Sequence, residues 1–178
     1  MLFRSGHYPP GSTFKLVTAA IALEHAGVAQ PEDITCPETL EVEPGAPPVV
    51  NAVHDLARFT GNPASLRTVI AFSCNTAFAQ YALRLGQYRL VSGAERFGMA
   101  IPAKPEEAIV MDDMPTVPSL IYANPDFLDR LPGIADTGYG QGELQVTPLE
   151  MAMVAATFGN NGVLMRPYRS EEHTSELQ

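Results

Sequence analysis

The stretch HYPPGSTFKLVTAAIALEHAG, residues 7–27, places a hydroxyl and an amine at the start of an apolar segment. Apolar residues recur at helical spacing through residues 12–26, which predicts a helix there, directly after a Pro-Pro-Gly turn. Ser12 and Lys15 are three positions apart, so their side chains are expected on one face of this helix, one turn apart.

This pair suggests a chemical role. A serine hydroxyl is a weak nucleophile at neutral pH and needs a base within hydrogen-bond reach. Lys15 can be that base only when it is neutral, and burial among apolar side chains would lower its pKa. The start of the helix also offers a backbone N–H to a developing oxyanion. The alternative is a Ser12 helix cap followed by a surface lysine, which spacing alone favours because Ser-x-x-Lys is common.

A second motif, FSCNTAF at residues 72–78, lies between two predicted helices. Ser73 and Asn75 flank Cys74, so a hydroxyl and a carboxamide can be directed at one point. The hydroxyl can relay a proton between a lysine and a leaving amine, and the carboxamide can bind a substrate amide. The alternative is that Ser73 or Asn75 caps the following helix, and capping does not exclude a function.

Composition indicates one globular domain. The chain has 178 residues, of which 46% are hydrophobic and 17% are charged, enough for a core of ordinary size. The formal net charge is -9, which argues against nucleic acid as a partner because phosphate binding needs a basic surface. No apolar run in the sequence is long enough to span a bilayer.

The two ends of the sequence differ from the rest. The tail RSEEHTSELQ, residues 169–178, is what a common sequencing adapter encodes in one frame. Residues 2–5 can be encoded by the reverse complement of codons that encode residues 169–172. We therefore expect residues 1–5 and 169–178 to be adapter-derived, and residues 6–168 to be a partial domain.

The other predicted elements are mainly helices, over residues 65–72, 76–85, 87–97 and 147–158. Ser65 is the expected cap of the first, Gly86 separates the second from the third, and Thr147 with Glu150 forms a capping box for the last. Residues 28–63 and 100–132 are rich in proline, which predicts irregular segments, the first with short strands.

The residues also carry a family resemblance. YPPGSTFKLVTAA resembles the first motif of the penicillin-binding proteins, and SCNTAF resembles their second. The family set is Ser-x-x-Lys, a Ser-x-Asn-type loop and Lys-Thr-Gly. The segment GYGQGELQVTPLEMAMVAATFGNNGVLMRPY, residues 138–168, is similar to the segment before the third motif in class B members. In order and spacing, these pieces cover residues 6–168.

The resemblance implies the α+β fold of serine β-lactamases and penicillin-binding transpeptidases, and a peptidoglycan D,D-transpeptidase activity. Ser12 would attack the carbonyl between the terminal D-alanines of a stem peptide, and its own N–H would be half of the oxyanion hole. Lys15 would take the serine proton, and Ser73 would relay protons to the leaving group. Asn75 would help to hold the substrate, and β-lactams would acylate the same serine.

The sequence departs from the family pattern because it has no Lys-Thr-Gly or Lys-Ser-Gly. The DTG at residues 136–138 has the wrong charge and precedes the Gly-Tyr-Gly-Gln segment, where the family has no third motif. We therefore expect a nucleophile and a base in an incomplete site, with much of the central antiparallel sheet missing and no turnover. By resemblance, Tyr139 and Gln141 would line the cleft; the alternative is a tight glycine-rich turn.

The resemblance also implies partners and a location. These are stem peptides ending in D-Ala-D-Ala, β-lactam antibiotics, a glycosyltransferase and other cell-wall proteins, with no cofactor. The parent protein would be anchored in the cytoplasmic membrane with this domain outside it. Alternatives are a D,D-carboxypeptidase, a class D β-lactamase or β-lactam sensor domain, and a non-catalytic penicillin-binding module. Asn75 argues against the class D families, which have Ser-x-Val in the second loop.

The cysteines and histidines suggest no further site. Cys36 and Cys74 can pair in an extracytoplasmic domain, but their separation in sequence gives no geometric support. We predict instead that Cys74 is a buried free thiol beside the motif. His7, His25 and His54 lack metal-ligand spacing, and no metal is predicted.

Overall fold

The computed structural model describes residues 5–25, 27, 34–112 and 115–168. Within these ranges the helices are Lys15–Glu24 (α1), Ala57–Thr60 (α2), Leu66–Ala71 (α3), Asn75–Arg96 (α4), Leu131–Gly138 (α5) and Pro148–Gly159 (α6). The described residues also include 3-10 turns at Gly11–Phe14, Pro105–Glu107 and Pro125–Asp129. Their strands are Thr39–Leu40 (β1) and Val49–Val50 (β2).

The long helix α4 is two helices joined at a kink. Gly86 has φ 70° and ψ 168°, which is not helical. Glycine adopts a positive φ without the steric penalty that a Cβ brings, so the break falls at this residue. The two predicted helices with a break at Gly86 are therefore confirmed.

The hydrophobic core forms around α4 in two main clusters. The first joins the apolar face of α1 to both halves of α4 and to α5 and α6; its buried members include Phe14, Val17, Ile21, Leu85, Leu90, Ile134 and Val154. The second surrounds the start of α4; its buried members include Cys36, Leu56, Val69, Cys74, Phe78 and Tyr81. Apolar packing in the second cluster therefore holds the segment that precedes α4 in place.

The β structure is small in the part of the chain that the structure describes. β1 and β2 pair antiparallel, with Thr39 opposite Val50 and Leu40 opposite Val49. Isolated bridges join residue 8 to 146, 120 to 145, and 100 to 120. The fold is α+β, as expected, and is mostly helical.

Helix α5 was not predicted. The proline-rich composition predicts an irregular segment to residue 132, and a tight glycine-rich turn is one of the two alternatives at Tyr139 and Gln141. Gly133 and Gly138 are poor helix formers, so the local signal is weak, whereas Ile134 and Ala135 are buried in the core. Packing against α4 therefore stabilises a helix that the local sequence does not predict.

Helix α6 is capped as predicted, but only half of the capping box forms. Thr147 Oγ1 accepts from the Glu150 N–H at 3.1 Å, while the Thr147 N–H donates to Ser119 Oγ at 3.1 Å. The Glu150 carboxyl is 1% exposed, and its Oε1 has no hydrogen-bond partner among the described residues. Burial raises the pKa of Glu150 to about 8.

No helix in the described ranges combines the length and the apolar character that crossing a membrane requires.

Candidate active site

Ser12 and Lys15 meet at the junction of a 3-10 turn and a helix. The sequence predicts a helix from Ser12 onward, but Ser12 lies in the 3-10 turn Gly11–Phe14 and Lys15 begins α1. Side chains three positions apart eclipse one another in 3-10 geometry, and Lys15 Nζ donates to Ser12 Oγ at 3.1 Å. Ser12 is exposed and Lys15 is 3% exposed, so an accessible hydroxyl contacts a buried amine.

Four oxygen atoms surround Lys15 Nζ. They are Ser12 Oγ at 3.1 Å, the Ser73 carbonyl and Oγ at 2.8 Å each, and Asn75 Oδ1 at 2.6 Å. An ammonium has three protons to donate, so one acceptor is always left over, and the contact to Ser12 is the longest. Ser73 Oγ also donates to Ser12 Oγ at 3.0 Å, so the Ser73 hydroxyl contacts both other groups.

Burial controls the charge of this lysine. It lowers the pKa of Lys15 from 10.5 to about 8, and the ring of Phe78 lies 5.7 Å from Nζ. Because one pKa unit is a factor of ten in population, about a tenth of Lys15 is neutral at neutral pH. Burial in the apolar surroundings of α1 thus supplies the condition that a lysine base needs.

Ser73 ends helix α3 in a left-handed conformation, with φ 52°. Its N–H donates to Ile70 O at 3.0 Å, and the N–H of Cys74 donates to Val69 O at 2.9 Å, as in helix ends that use a left-handed residue. Glycine is the usual residue at this position, because a residue with a Cβ pays a conformational cost of about 1–2 kcal/mol in the left-handed region. In this conformation the carbonyl and the hydroxyl of Ser73 both contact Lys15.

Asn75 is the first residue of α4, and its side chain bridges two segments. Its Oδ1 accepts from Lys15, while its Nδ2 donates to the carbonyl of Val50 at 2.9 Å. The alternative, in which Ser73 or Asn75 caps α4, does not hold: the N-cap is Cys74, whose Sγ accepts from the Ala77 N–H at 3.4 Å.

The prediction that Cys74 is a free thiol is also wrong. Cys36 and Cys74 form a disulfide, with Cα atoms 6.2 Å apart across 38 residues of sequence. The two residues are buried in the same apolar cluster, which sequence spacing could not show. The bond attaches the loop that carries Ser73 to the segment before β1.

Tyr139 and Gln141 lie in the turn after α5. Tyr139 is half-buried, and its hydroxyl donates to Asp136 Oδ1 at 2.6 Å; burial, together with Asp136, raises the pKa of Tyr139. Gln141 is exposed, and its N–H donates to Asp136 O at 2.9 Å. The turn contacts the Ser12 turn through the backbone, but the tyrosine hydroxyl is directed at Asp136.

The histidines of the described residues make unrelated contacts. A ring nitrogen of His7 contacts Pro118 O, one of His25 contacts Ile21 O, and one of His54 pairs with Glu38. Within the described ranges, no three side chains of the His, Cys, Asp or Glu type group as a metal site would require.

The sequence as a whole matches one family. The model of the penicillin-binding protein transpeptidase domain matches residues 3–175. The chain belongs to the penicillin-binding protein transpeptidase family. Its described fold is thus a portion of the transpeptidase domain.

Relatives of this transpeptidase domain are considerably longer. Peptidoglycan D,D-transpeptidase PbpA of Mycobacterium tuberculosis is 36% identical over 167 residues, which are 90% of this chain and 30% of that protein. Penicillin-binding protein 3 of Bacillus subtilis is 32% identical over 162 residues, 90% of this chain and 22% of that protein. The chain therefore spans about a third or less of the length of these relatives.

Solved structures agree with this assignment. Penicillin-binding protein A of Mycobacterium tuberculosis, solved as an imipenem acyl-enzyme complex, has a TM-score of 0.74 and 34% identity, covering 93% of this chain and 35% of that chain. The D,D-transpeptidase domain of a peptidoglycan glycosyltransferase from Eggerthella lenta has a TM-score of 0.69 and 30% identity, covering 94% and 40%.

The candidate site also includes groups that no sequence motif indicated. The carbonyl of Val50 is a backbone atom, so no residue-type motif indicates it. Asn51 follows it in the stretch PPVVNAV, within residues 28–63, where the sequence predicts irregular structure with short strands. A polar residue at the end of a short strand was the one available signal.

Proposed function

We propose that this chain is part of a peptidoglycan D,D-transpeptidase in which Ser12 forms the acyl-enzyme with a stem peptide ending in D-Ala-D-Ala. The contact of one buried lysine of lowered pKa with the hydroxyls of both Ser12 and Ser73 carries this proposal. Solved relatives support it, because penicillin-binding protein A of Mycobacterium tuberculosis was solved as imipenem and penicillin G acyl-enzyme complexes.

In the acylation step, neutral Lys15 accepts the proton of Ser12 while Oγ attacks the carbonyl carbon between the two D-alanines. The Ser12 N–H stabilises the oxyanion. The C–N bond then breaks, and the departing amine takes a proton from the Ser73 hydroxyl, which regains one from the Lys15 ammonium. The proton taken from Ser12 thus ends on the leaving D-alanine, and Lys15 is neutral again.

In the transfer step, the amine of a neighbouring stem peptide attacks the ester carbonyl. Neutral Lys15 takes a proton from this amine as the new amide C–N bond forms. The ester bond between Ser12 Oγ and the acyl carbon then breaks, and Lys15 returns the proton to Ser12 Oγ. A D,D-carboxypeptidase would use water in place of the amine, with the same residues in the same roles. Asn75 holds the substrate amide at one side of the cluster.

Fluorescent penicillin tests this proposal on the complete protein. Covalent labelling is expected, Ser12→Ala should abolish it, and Ser92→Ala is the matched control because Ser92 bonds only to Arg89 O within α4. The label should remain for minutes to hours. Rapid release of the label would indicate a β-lactamase instead, and no labelling at all would indicate a non-catalytic module.

We also propose that residues 1–5 and 169–178 are adapter-derived and that the natural frame continues into a strand with Lys-Thr-Gly or Lys-Ser-Gly. The 178-residue sequence has neither tripeptide, so it is not expected to turn over substrate on its own. Reading the source DNA outward from residues 6–168 tests this. A genomic frame that ends in RSEEHTSELQ would show the hypothesis to be wrong.

The location and partners of the complete protein follow the same proposal. An upstream frame that encodes a membrane anchor would place this domain outside the cytoplasmic membrane, where cell-wall stem peptides and a partner glycosyltransferase work. The same DNA read shows whether that anchor is encoded, and a frame without one would contradict the proposed location.

A further inference from the structure

The side chain of Asn51 connects three segments around the second motif. Its Oδ1 accepts from the N–H of Thr76 at 3.2 Å, and its Nδ2 donates to the carbonyl of Pro37 at 2.7 Å. The hydroxyl of Thr76, which is fully buried, donates to the same Pro37 carbonyl at 2.9 Å. Asn51, the residue after β2, is thus hydrogen-bonded to the first turn of α4 and to the segment before β1.

The neighbour of Asn51 sets the orientation of Asn75. The Val50 carbonyl accepts a hydrogen bond from Asn75 Nδ2. With the amide in this orientation, Asn75 Oδ1 faces Lys15 Nζ and accepts from it at 2.6 Å. A half-turn of the amide would direct Nδ2–H at the lysine instead. Against neutral Lys15, that N–H would bind the lone pair that Ser12 needs for its proton, because an amide N–H donates and a neutral amine accepts.

We propose that Asn51 is a positioning residue for the base: by holding residues 49–51 against α4, it keeps the Val50 carbonyl on Asn75 and the Asn75 oxygen on Lys15. Its importance for acylation rests on the proposed function, whereas the positioning itself rests on the contacts above.

A role in helix capping alone does not account for Asn51. The first N–H groups of a helix need acceptors, and Asn51 Oδ1 is the acceptor for the Thr76 N–H. Any other acceptor at that place would serve the same purpose. The Nδ2 bond to Pro37 contributes nothing to capping, yet it fixes the direction of the Asn51 side chain. The two ends of this amide together hold residues 49–51 against α4, in addition to the pairing of β2 with β1.

The titration of Lys15 provides a direct test, because the chain has two lysines, Lys15 and Lys104. Carbon-13 labelling at lysine Cε gives one signal for each, and exposed Lys104 serves as an internal reference. Asn75 Oδ1 accepts from Nζ at 2.6 Å, and a hydrogen bond to the charged form of a group favours that form. Release of Asn75 removes this acceptor, so Asn51→Ala should lower the Lys15 midpoint by about one pH unit.

A double-mutant cycle separates positioning from loss of structure. If Asn51 acts through Asn75, Asn75→Ala should lower the same midpoint, and adding Asn51→Ala to it should lower it no further. Asn124→Ala is the matched control, since the Asn124 amide bonds to Glu143 at the surface. Additive shifts, no shift in Asn51→Ala, or a Lys15 that titrates together with Lys104 in the unchanged chain would each overturn the proposal.

A second variant covers loss of folding. If Asn51→Ala unfolds the chain, Asn51→Asp takes its place. It keeps an acceptor for the Thr76 N–H and loses the Nδ2 donor, which bonds to the Pro37 carbonyl and, at 3.3 Å, to Thr76 Oγ1. Its direct charge effect on Lys15 persists in the Asn75→Ala background, so the part of the shift that disappears there measures positioning. Penicillin labelling of the complete protein is read separately, so failure of the proposed function and failure of this inference are distinguishable.

Discussion

The carbonyl oxygen of Gly140 accepts a hydrogen bond from the N–H of Gly11 at 2.9 Å. A Cβ built on Gly140 would lie 1.8 Å from the Gly11 oxygen, and Gly140 has φ +89°. Space and backbone conformation both require glycine here. The turn after α5 therefore fixes the turn that carries Ser12, across more than a hundred residues of sequence.

Gly140→Ala is expected to destabilise the fold by about 2–4 kcal/mol, because a left-handed alanine and a backbone overlap add together. Gly45→Ala is the matched control: Gly45 has φ +85° but nothing within 4 Å of its Cβ position, so it should lose only about 1 kcal/mol. Urea unfolding of the two variants measures the difference. Equal losses of unfolding free energy in the two variants would show that the close approach of Gly140 to Gly11 does not contribute to the cost.

Ser73 offers a second pair of variants. Ser73→Gly and Ser73→Ala both remove the hydroxyl, but only glycine relieves the left-handed conformation at φ 52°. The glycine variant should be about 1 kcal/mol more stable than the alanine variant. Both should slow penicillin labelling of the complete protein by about a hundredfold or more, since a proton relay is lost. Similar stabilities of the two variants would argue against strain at this residue.

The fold was predictable where the signal is local. Ser65 accepts from the Thr68 N–H and begins α3, Gly86 breaks α4, and Thr147 caps α6; each depends on the conformation or hydrogen bonding of one or two residues. Helix α5 and the Cys36–Cys74 disulfide depend on contacts between distant segments, and no local rule indicated them.

The site followed a similar division. Ser12, Lys15, Ser73 and Asn75 were identified from two motifs, and the structure brings the four together. The burial of Lys15 was expected from the apolar helix around it, but the carbonyls of Val50 and Ser73 were not, because backbone atoms leave no mark on residue type. The left-handed conformation of Ser73 was missed because serine carries no signal for it.

The buried lysine makes stability depend on pH. The pKa of Lys15 is about 8 when folded and 10.5 otherwise, so between these values the unfolded chain binds more protons and stability rises with pH. Lys15→Met should remove this rise and stabilise the fold at neutral pH by up to about 3 kcal/mol. Urea unfolding at several pH values measures it, with Lys104→Met as control. A rise that persists in Lys15→Met would contradict the assignment.

The buried Glu150 acts in a different pH window and with the opposite sign. Its pKa is raised from 4.5 to about 8, so the folded chain binds more protons in that window and stability falls as pH rises through it. Glu150→Gln should flatten the fall, whereas Glu41→Gln, at an exposed position, should leave it. The two groups together predict a minimum of stability near pH 8. An unchanged fall in Glu150→Gln would exclude this carboxyl as its source.

The disulfide makes residues 36–74 a closed covalent ring, with β1, β2, α2 and α3 in its circumference and Ser73 next to the point of closure. A ring cut once remains a single molecule. Cleavage at a protease site inserted at exposed Gly45 would open the backbone there, yet the segments before and after the cut would stay joined through Cys36 and Cys74. Ser12 and Lys15 would then lie on one fragment and Ser73 on the other, joined by the disulfide until a reductant is added. The cut protein before and after reduction would therefore show whether the site needs a continuous backbone or only a covalent link between its two halves.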